Sequence, residues 1–550
     1  MPMNLTKRLD DLSSRRDIRS GWFGIITLFF LAFIILPTVY VLIYGITDFQ
    51  NLSDVVLDDP ETMSLIWGAV FASFSLALLV TVIDLIVGIP MAWIMVRKEF
   101  RGKRILDTLI DMPLAFPTAA LGFSIGIFWG MPIDAPVPPG ALGIVASPYI
   151  LIMLLHIIFT YPYMVRSLSA ILEQIDQSYE EAGMTLGASR MTAARTITLP
   201  LFRAGLITGF ILCFARSLSE TGGTFIALIT VGQADKFFTG PTLIAWFKRS
   251  TLAPEEVEAI LAVVSIILIV TAIIFLLIIK FVLGRINVPF DKVWPRWERV
   301  LSRGMVPKAK DAISFVWLFT IVIIPSFFIF AYLLVPSPAE MDWSGLIDAL
   351  AFSFMVAGVV TLADIVLGVP MGIYIARHRD KKLAQVVDSL VNIPLIVPTT
   401  ALGFSLALFW TSQDLVTNVT FLVIMAHIAF TYPLVVRNVA GAVMEVDPSY
   451  EEAARTLGAK PFATFRTVLL PIVRSAVLAG AILAFTRSLG ETGATVAVSS
   501  EANTVPVYIV NLMSSGDYYL AAVSAMVLIM VSFVFMFALR YVIKRDGGGY

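Results

Sequence analysis

The chain has 550 residues, of which 58% are hydrophobic and 14% charged, and its formal net charge is −1. A soluble protein carries roughly 25% charged residues. Here the apolar residues form runs long enough to cross a bilayer core, which takes about 20 residues of helix. We therefore predict an all-α polytopic membrane protein, and the charge gives no indication of nucleic-acid binding. The single cysteine, Cys213, excludes an internal disulfide framework and a cysteine metal cluster.

The N-terminal segment is polar and basic and leads into an apolar run from about Gly21 to Tyr44. This run is longer than the core of a signal peptide, and no small-residue cleavage site follows it. We interpret it as a retained first span.

Apolar run length predicts about twelve transmembrane helices, six in each half of the chain. The predicted spans cover 21–45, 65–96, 108–130, 147–166, 203–229, 257–283, 313–335, 346–376, 388–410, 418–437, 474–498 and 519–543.

Loop charges predict the orientation of these spans, since basic loops stay in the cytoplasm. The N-terminal segment and the 97–104 and 166–203 loops are basic, whereas the intervening 46–64 loop is acidic. Alternation of this kind places both termini on the cytoplasmic side.

The second half repeats the first. Asp84-x5-Pro90-Met91 returns as Asp364-x5-Pro370-Met371, and further motifs return in the same order. We predict a first half at 1–290, a cytoplasmic linker at 291–310 and a second half at 311–550. Six helices per half give both copies the same orientation, so they form two parallel repeats with a pathway at their interface.

One charged cytoplasmic loop occurs in both halves, at 178–200 and 449–471. The first copy reads SYEEAG, LGA and ITLP, and the second reads SYEEAA, LGA and VLLP with the same internal spacing. A single copy is compatible with an ordinary amphipathic loop that caps the bundle, but the exact repetition favours two docking loops.

These loops resemble the EAA loop of type I ATP-binding-cassette (ABC) importer permeases, although Gly183 and Val468 depart from the family pattern. The resemblance implies a type I ABC importer permease fold in which each loop forms a coupling helix that docks on an ATPase subunit. The residues it implicates in ATPase coupling are Glu181, Ala182, Gly183, Gly187, Leu199, Pro200, Glu452, Ala453, Ala454, Gly458, Leu470 and Pro471.

The sequence has no G-x-x-x-x-G-K-[ST] motif for binding nucleotide phosphates. The resemblance therefore implies two copies of a separate ABC ATPase subunit, with ATP and Mg bound there and no cofactor on this chain. It also implies an extracytoplasmic solute-binding protein and a location in the inner membrane of a prokaryote. The chain itself is then a transport subunit and not an enzyme.

Two ion-pair motifs lie inside apolar runs: Arg216 with Glu220, and Arg487 with Glu491. Charges at this depth normally face protein or water, and the i, i+4 spacing places each pair on one helix face. We consider two interpretations equally: a pathway or gate position, or a self-paired structural bridge. The neighbouring Thr221 and Thr492 are further candidates for the pathway.

Four more ionisable residues lie within predicted spans. Asp84 and Asp364 lack a sequence-local partner and are pathway candidates, although interhelical packing is the favoured interpretation. As carriers of coupling ions or protons they would instead indicate a secondary transporter, the alternative function. For His156 and His427 we favour packing or hydrogen bonding, because two histidines alone make no metal site.

Paired prolines predict broken third spans in both halves: Pro113 with Pro117, and Pro394 with Pro398. Backbone freed at that depth must line protein or a cavity.

The sequence does not identify the solute. The fused two-half organisation resembles ferric-iron and thiamine permeases, whereas RSLGETGAT at 487–495 resembles molybdate, tungstate and sulfate permeases. A membrane-embedded enzyme is disfavoured because the sequence shows no nucleophile–base or metal constellation.

Overall fold

The computed structural model describes residues 5–285, 294–338, 341–412 and 415–546. Within these ranges nine helices are long and apolar enough to cross a membrane, and the number reaches 12 if each of three bent helix pairs counts as one span. The predicted all-α architecture of about twelve spans is confirmed.

The spans of the first half are, in order, Ser20–Thr47, Pro60–Arg97, the bent pair Lys103–Ala115 and Thr118–Phe128, Pro148–Gln174, the bent pair Arg190–Arg203 and Gly205–Leu218, and Pro254–Ile279. Shorter helices are Leu5–Ser14, Gln177–Thr185, Gly222–Thr230 and Gly240–Phe247.

The spans of the second half are Val306–Leu334, Trp343–Arg377, the bent pair Lys382–Ile396 and Thr399–Ser412, Val419–Glu445, Pro461–Leu489 and Tyr518–Phe535. Shorter helices are Pro295–Leu301, Ser449–Thr456, Gly493–Val498 and Val505–Ser515. Below, spans are numbered one to twelve in this order.

The third and ninth spans are sharply bent where the sequence predicts breaks. Their two helices meet at 102° and 109°. In each span a proline directly precedes the second helix, Pro117 before Thr118 and Pro398 before Thr399. Proline lacks the N–H that would continue the preceding helix, and it disfavours helical backbone in the residue before it.

The fifth and eleventh spans differ from the prediction. We expected unbroken helices over 203–229 and 474–498, but the chain leaves the helix after Leu218 and after Leu489 and starts a new helix at Gly222 and Gly493. No proline marks this break. Instead, the Glu220 and Glu491 side chains accept hydrogen bonds from backbone N–H groups of the new helices, which satisfies donors that an unbroken helix would use internally.

The loops that precede the sixth and twelfth spans are also more structured than predicted. Each contains a short helix, Gly240–Phe247 or Val505–Ser515, most of whose residues are buried. Both helices are shorter than the 20 or so residues that cross a bilayer, so hydropathy does not reveal them.

Each half wraps its first span around the other half. In the first span, the Pro37 carbonyl accepts a hydrogen bond from Ser405 Oγ at 2.7 Å. The equivalent bond joins Ser124 Oγ to the Pro325 carbonyl at 2.6 Å. The two largest apolar clusters accordingly each combine residues of both halves.

The segment that precedes the first span of each half also contacts the other half. Glu298 bonds to Thr192 at 2.7 Å and to Arg195 at 2.6 Å, next to the first repeated loop. Asp11 forms an ion pair with Lys460 beside the second loop. The predicted boundary at 290/291 lies outside the described residues.

Candidate functional site

The two repeated loops form short helices, Gln177–Thr185 and Ser449–Thr456, which we call the loop helices. An aspartate precedes each one: Asp176 accepts a hydrogen bond from Ser178 N–H and Asp447 from Ser449 N–H, both at 2.8 Å. These backbone hydrogen bonds hold the pKa of Asp176 and of Asp447 below the usual range for a carboxyl group. The negative charge also suits a helix N-terminus.

A glycine with left-handed backbone lies two residues after the end of each loop helix. Gly187 has φ +91° and Gly458 has φ +89°, and a Cβ at either position would meet nothing within 4 Å. The glycines are therefore required for backbone conformation and not for close approach. At Gly183 a Cβ would lie 2.6 Å from Ile197 Cδ1, the end of a flexible side chain, and the second loop has Ala454 at the equivalent position.

The predicted coupling residues fall on two parts of each loop. Glu181, Ala182, Glu452 and Ala453 are exposed on the loop helices. The pairs Leu199–Pro200 and Leu470–Pro471 open the long helices that follow, where proline is favoured in the first turn.

The glutamate before each predicted one is a structural anchor that the sequence analysis missed. Glu180 and Glu451 are buried, and each forms an ion pair with the arginine at the end of the second or eighth span: Glu180 with Arg97 at 3.1 Å and Glu451 with Arg377 at 2.7 Å. Each loop helix is thus fixed to a membrane span. The sequence could have indicated this pairing, because an arginine occurs at the equivalent position of both halves, 83 residues before Glu180 and 74 residues before Glu451.

The most exposed apolar side chains of the loops were also missed. Leu186 and Leu457 are each 89% exposed, and Tyr179 and Tyr450 are 57% and 59% exposed. Large apolar groups displayed in the same arrangement on two rigid loops indicate a contact surface for a partner.

The halves meet at a narrow central cavity, which we call the constriction. Its lining residues come from both halves and are Thr118, Ser219, Glu220, Thr221, Gly222, Thr399, Arg487, Glu491, Thr492 and Gly493. The space between these residues leaves no room for a water molecule. The structure thus brings together five of the predicted pathway residues and closes the space between them.

The ion pairs of the prediction are formed at this constriction. Arg216 Nη1 lies 2.8 Å from Glu220 Oε2, and Arg487 Nη1 lies 2.5 Å from Glu491 Oε2. The other carboxylate oxygen of each glutamate caps the next helix. Each arginine is thus neutralised by its own glutamate, as expected for a structural bridge. Three of the four residues, Glu220, Arg487 and Glu491, also line the cavity, as expected for a pathway position.

Glycines and threonines of opposite halves interlock at the constriction. A Cβ at Gly222 would lie 2.3 Å from Thr492 Oγ1, and one at Gly493 would lie 2.6 Å from Thr221 Oγ1. Only glycine allows the threonine of the other half to pack this closely.

Both predicted intramembrane histidines make hydrogen bonds through both ring nitrogens. His156 contacts Ser217 at 2.7 Å and Thr224 at 2.9 Å, and His427 makes the equivalent contacts. Each histidine ring thereby connects its own span, the fourth or the tenth, to two helices: the one that ends at Leu218 or Leu489 and the short one that starts at Gly222 or Gly493. Within the described ranges, no cluster of three His, Cys, Asp or Glu side chains could hold a metal ion.

Asp84 and Asp364 are fully buried and do not line the constriction. Asp84 Oδ2 accepts a hydrogen bond from Thr160 Oγ1 at 2.5 Å, which joins the second and fourth spans. Within the described residues the Asp84 carboxylate meets this one hydroxyl and no cation, which favours helix packing, whereas neither carboxylate oxygen of Asp364 has a hydrogen-bond partner there.

This placement predicts that Asp84→Asn leaves transport within about twofold of the unmodified chain, because the amide oxygen still accepts from Thr160. Solute uptake into vesicles at several pH values is the measurement. Loss of uptake with an altered pH profile would contradict it and favour proton coupling. Asp84→Leu, which removes the hydrogen bond between the second and fourth spans, is the comparison; the Thr160 hydroxyl keeps its bond to the His156 carbonyl at 2.6 Å.

A duplicated bundle of membrane spans that closes on a central constriction and displays paired helices at one end defines a membrane transport permease. The chain belongs to the family of binding-protein-dependent transport system inner membrane components, whose model matches residues 85–288 and again residues 368–545. The double match confirms the internal repeat. It identifies the chain as a permease of a type I ABC importer, and nothing in the comparisons supports the secondary-transporter alternative.

Several curated relatives match part of the chain. The molybdenum transport system permease protein ModB of Escherichia coli K12 is 35% identical over 179 residues, which are 31% of this chain and 73% of the relative. The sulfate transport system permease protein CysT of Salmonella typhimurium is 32% identical over 223 residues, 39% of this chain and 74% of the relative. A probable sulfate permease of Chlorokybus atmophyticus is 30% identical over 246 residues, 44% and 84% respectively.

Proposed function

We propose that this permease works with two identical ABC ATPase subunits, one docked on each loop helix, and imports a small oxyanion delivered by an extracytoplasmic binding protein. The observation that carries the proposal is the pair of 89%-exposed leucines, Leu186 and Leu457, on two loops anchored in the same way to the spans. The basic charges of these loops favour a cytoplasmic position for both. ATP and Mg belong to the partner subunits.

The oxyanion assignment rests on the relatives, which are named for molybdenum and sulfate transport. The ion pairs at the constriction do not add to it, because Glu220 and Glu491 neutralise the arginines that could have contacted a free anion.

The proposed mechanism is alternating access at the constriction. ATP binding draws the two ATPase subunits together and moves the loop helices with them. The anchors Arg97–Glu180 and Arg377–Glu451 pass this motion to the second and eighth spans. The halves then part at the constriction, and ATP hydrolysis returns them to the closed arrangement described above.

Leu186→Asp combined with Leu457→Asp should abolish ATPase binding, because two charges replace the apolar groups that would be desolvated in the contact. The measurement is the mass of the tagged complex from native membranes, expected to hold one permease and two ATPase subunits before the change and no ATPase after it.

The matched control is Met305→Asp, which puts the same charge on an 82%-exposed apolar residue outside the loops. It should keep both ATPase subunits. A double leucine variant that still holds two copies would refute the proposed docking surface.

A further inference from the structure

Four helices begin at the constriction. The first residue of each one lines it: Thr118, Gly222, Thr399 and Gly493. Three of these helices, with 11, 9 and 14 residues, are long enough for their N-termini to carry the partial positive charge of the helix dipole. Broken spans whose N-termini meet at one point are how membrane carriers contact anionic groups.

The side-chain charges at the constriction cancel. Arg216 neutralises Glu220, and Arg487 neutralises Glu491. Each glutamate takes one backbone N–H, that of Gly223 or Ala494, both at 3.0 Å. The helix ends at Thr118 and Thr399 add partial positive charge to this neutral set, and the Thr399 N–H donates to Ser219 Oγ at 3.4 Å.

Two buried hydroxyls provide the independent indication of a ligand. Thr221 and Thr492 are each 3% exposed, and neither Oγ1 has a hydrogen-bond partner within the described part of the chain. Each threonine precedes a helix but does not cap it, because the adjacent glutamate does. Buried hydroxyls without partners are rare and call for an explanation.

We propose that the constriction is a transient binding site for a tetrahedral oxyanion, with the hydroxyls of Thr221 and Thr492 and the helix N-termini as its hydrogen-bond donors. In the closed arrangement the two hydroxyls pack against Gly493 and Gly222 of the opposite half. When the halves part, both hydroxyls and the first N–H groups of the helices face the space between them. The inference rests on the proposed function for delivery of the anion.

The test is ATP-driven uptake of radiolabelled sulfate and molybdate by the complete complex in liposomes. Thr221→Val with Thr492→Val keeps the side-chain shape but removes both donors, and should lower the anions transported per ATP hydrolysed at least tenfold. Thr221→Ser with Thr492→Ser should stay within twofold, since serine keeps the donors.

The control is Thr230→Val. Thr230 is buried in the same short helix as Gly222, but its hydroxyl bonds to the Ile226 carbonyl at 2.8 Å and does not line the constriction. It should leave uptake per ATP unchanged. If the double valine variant transports as well as the unmodified complex, or if Thr230→Val is equally damaging, the inference is wrong.

A second arm separates this inference from the proposed function. A complex that binds ATPase subunits but takes up neither anion would refute the proposed substrate class. The site is then judged without ATP, from sulfate and rubidium efflux through the Gly222→Ala, Gly493→Ala permease alone in liposomes. If sulfate leaves the liposomes faster than rubidium, the result supports an anion site. If the two ions leave at equal rates, if rubidium leaves faster, or if no sulfate leaves, the inference is wrong.

Discussion

Replacing Gly222 and Gly493 with alanine should convert the closed permease into a passive leak. The added Cβ atoms would lie 2.3 Å and 2.6 Å from the hydroxyl oxygens of Thr492 and Thr221, well inside van der Waals contact. The Cβ of Thr492 itself would be only 2.5 Å away from the Cβ added at Gly222, so rotating the threonine side chain does not relieve the clash. The halves must therefore separate.

Efflux of labelled sulfate from liposomes without ATP measures this leak, which should exceed that of the unmodified permease at least tenfold. Gly68→Ala is the matched control, because a Cβ there meets nothing within 4 Å. Gly222→Ala with Thr492→Gly should restore closure by removing the side chain that clashes. Efflux at the unmodified rate in the double alanine variant would contradict the interlock.

The broken third and ninth spans show what sequence reasoning captures well. Pro117 and Pro398 impose a local backbone constraint that acts whatever surrounds it, and both spans break at these prolines, as predicted. Pro113, the other proline of the first pair, lies inside the helix Lys103–Ala115. Helix number follows equally from apolar run length. These features depend on a few neighbouring residues.

The helix breaks that follow Leu218 and Leu489 show what could not be predicted from the sequence. Ion pairing of Glu220 and Glu491 with Arg216 and Arg487 was one of the two interpretations that the sequence left open, and both ion pairs are formed. Their second role, capping a new helix, depends on backbone that departs from the helix at Ser219 and Gly490. That departure is favoured by packing against the other half, a tertiary effect that no local pattern reports.

The packing of each half's first span against the other half also could not be predicted from the sequence. An internal repeat predicts that the two copies share a fold and an orientation. It does not show whether Pro37 packs on its own half or on Ser405 of the other, since both options bury the same apolar surface. The buried Glu180 and Glu451 were missed for a similar reason, because their arginine partners lie at the ends of distant spans.

Replacing Glu180 and Glu451 with alanine should uncouple ATP hydrolysis from transport. Glu180 accepts hydrogen bonds from Arg97 at 3.1 Å and from Thr198 at 2.9 Å, so one carboxylate fixes the loop helix to the second span and to the start of the fifth. Arg97 would keep its bond to the Ile175 carbonyl but lose its buried counter-charge. Breaking a buried pair in this way costs about 3 kcal/mol.

The exposed Leu186 and Leu457 are untouched by this change, so ATPase subunits should still bind and hydrolyse ATP, while anions transported per ATP fall at least tenfold. Glu180→Gln with Glu451→Gln should lose less, because the amide oxygen still accepts from arginine. Glu173→Ala with Glu445→Ala removes two exposed glutamates at the ends of neighbouring spans and should change nothing. If the alanine anchor variant transports as many anions per ATP as the unmodified complex, the loop helices do not drive the second and eighth spans through these ion pairs. Loss of ATPase binding instead would mean that the anchors shape the docking surface and do not transmit its motion.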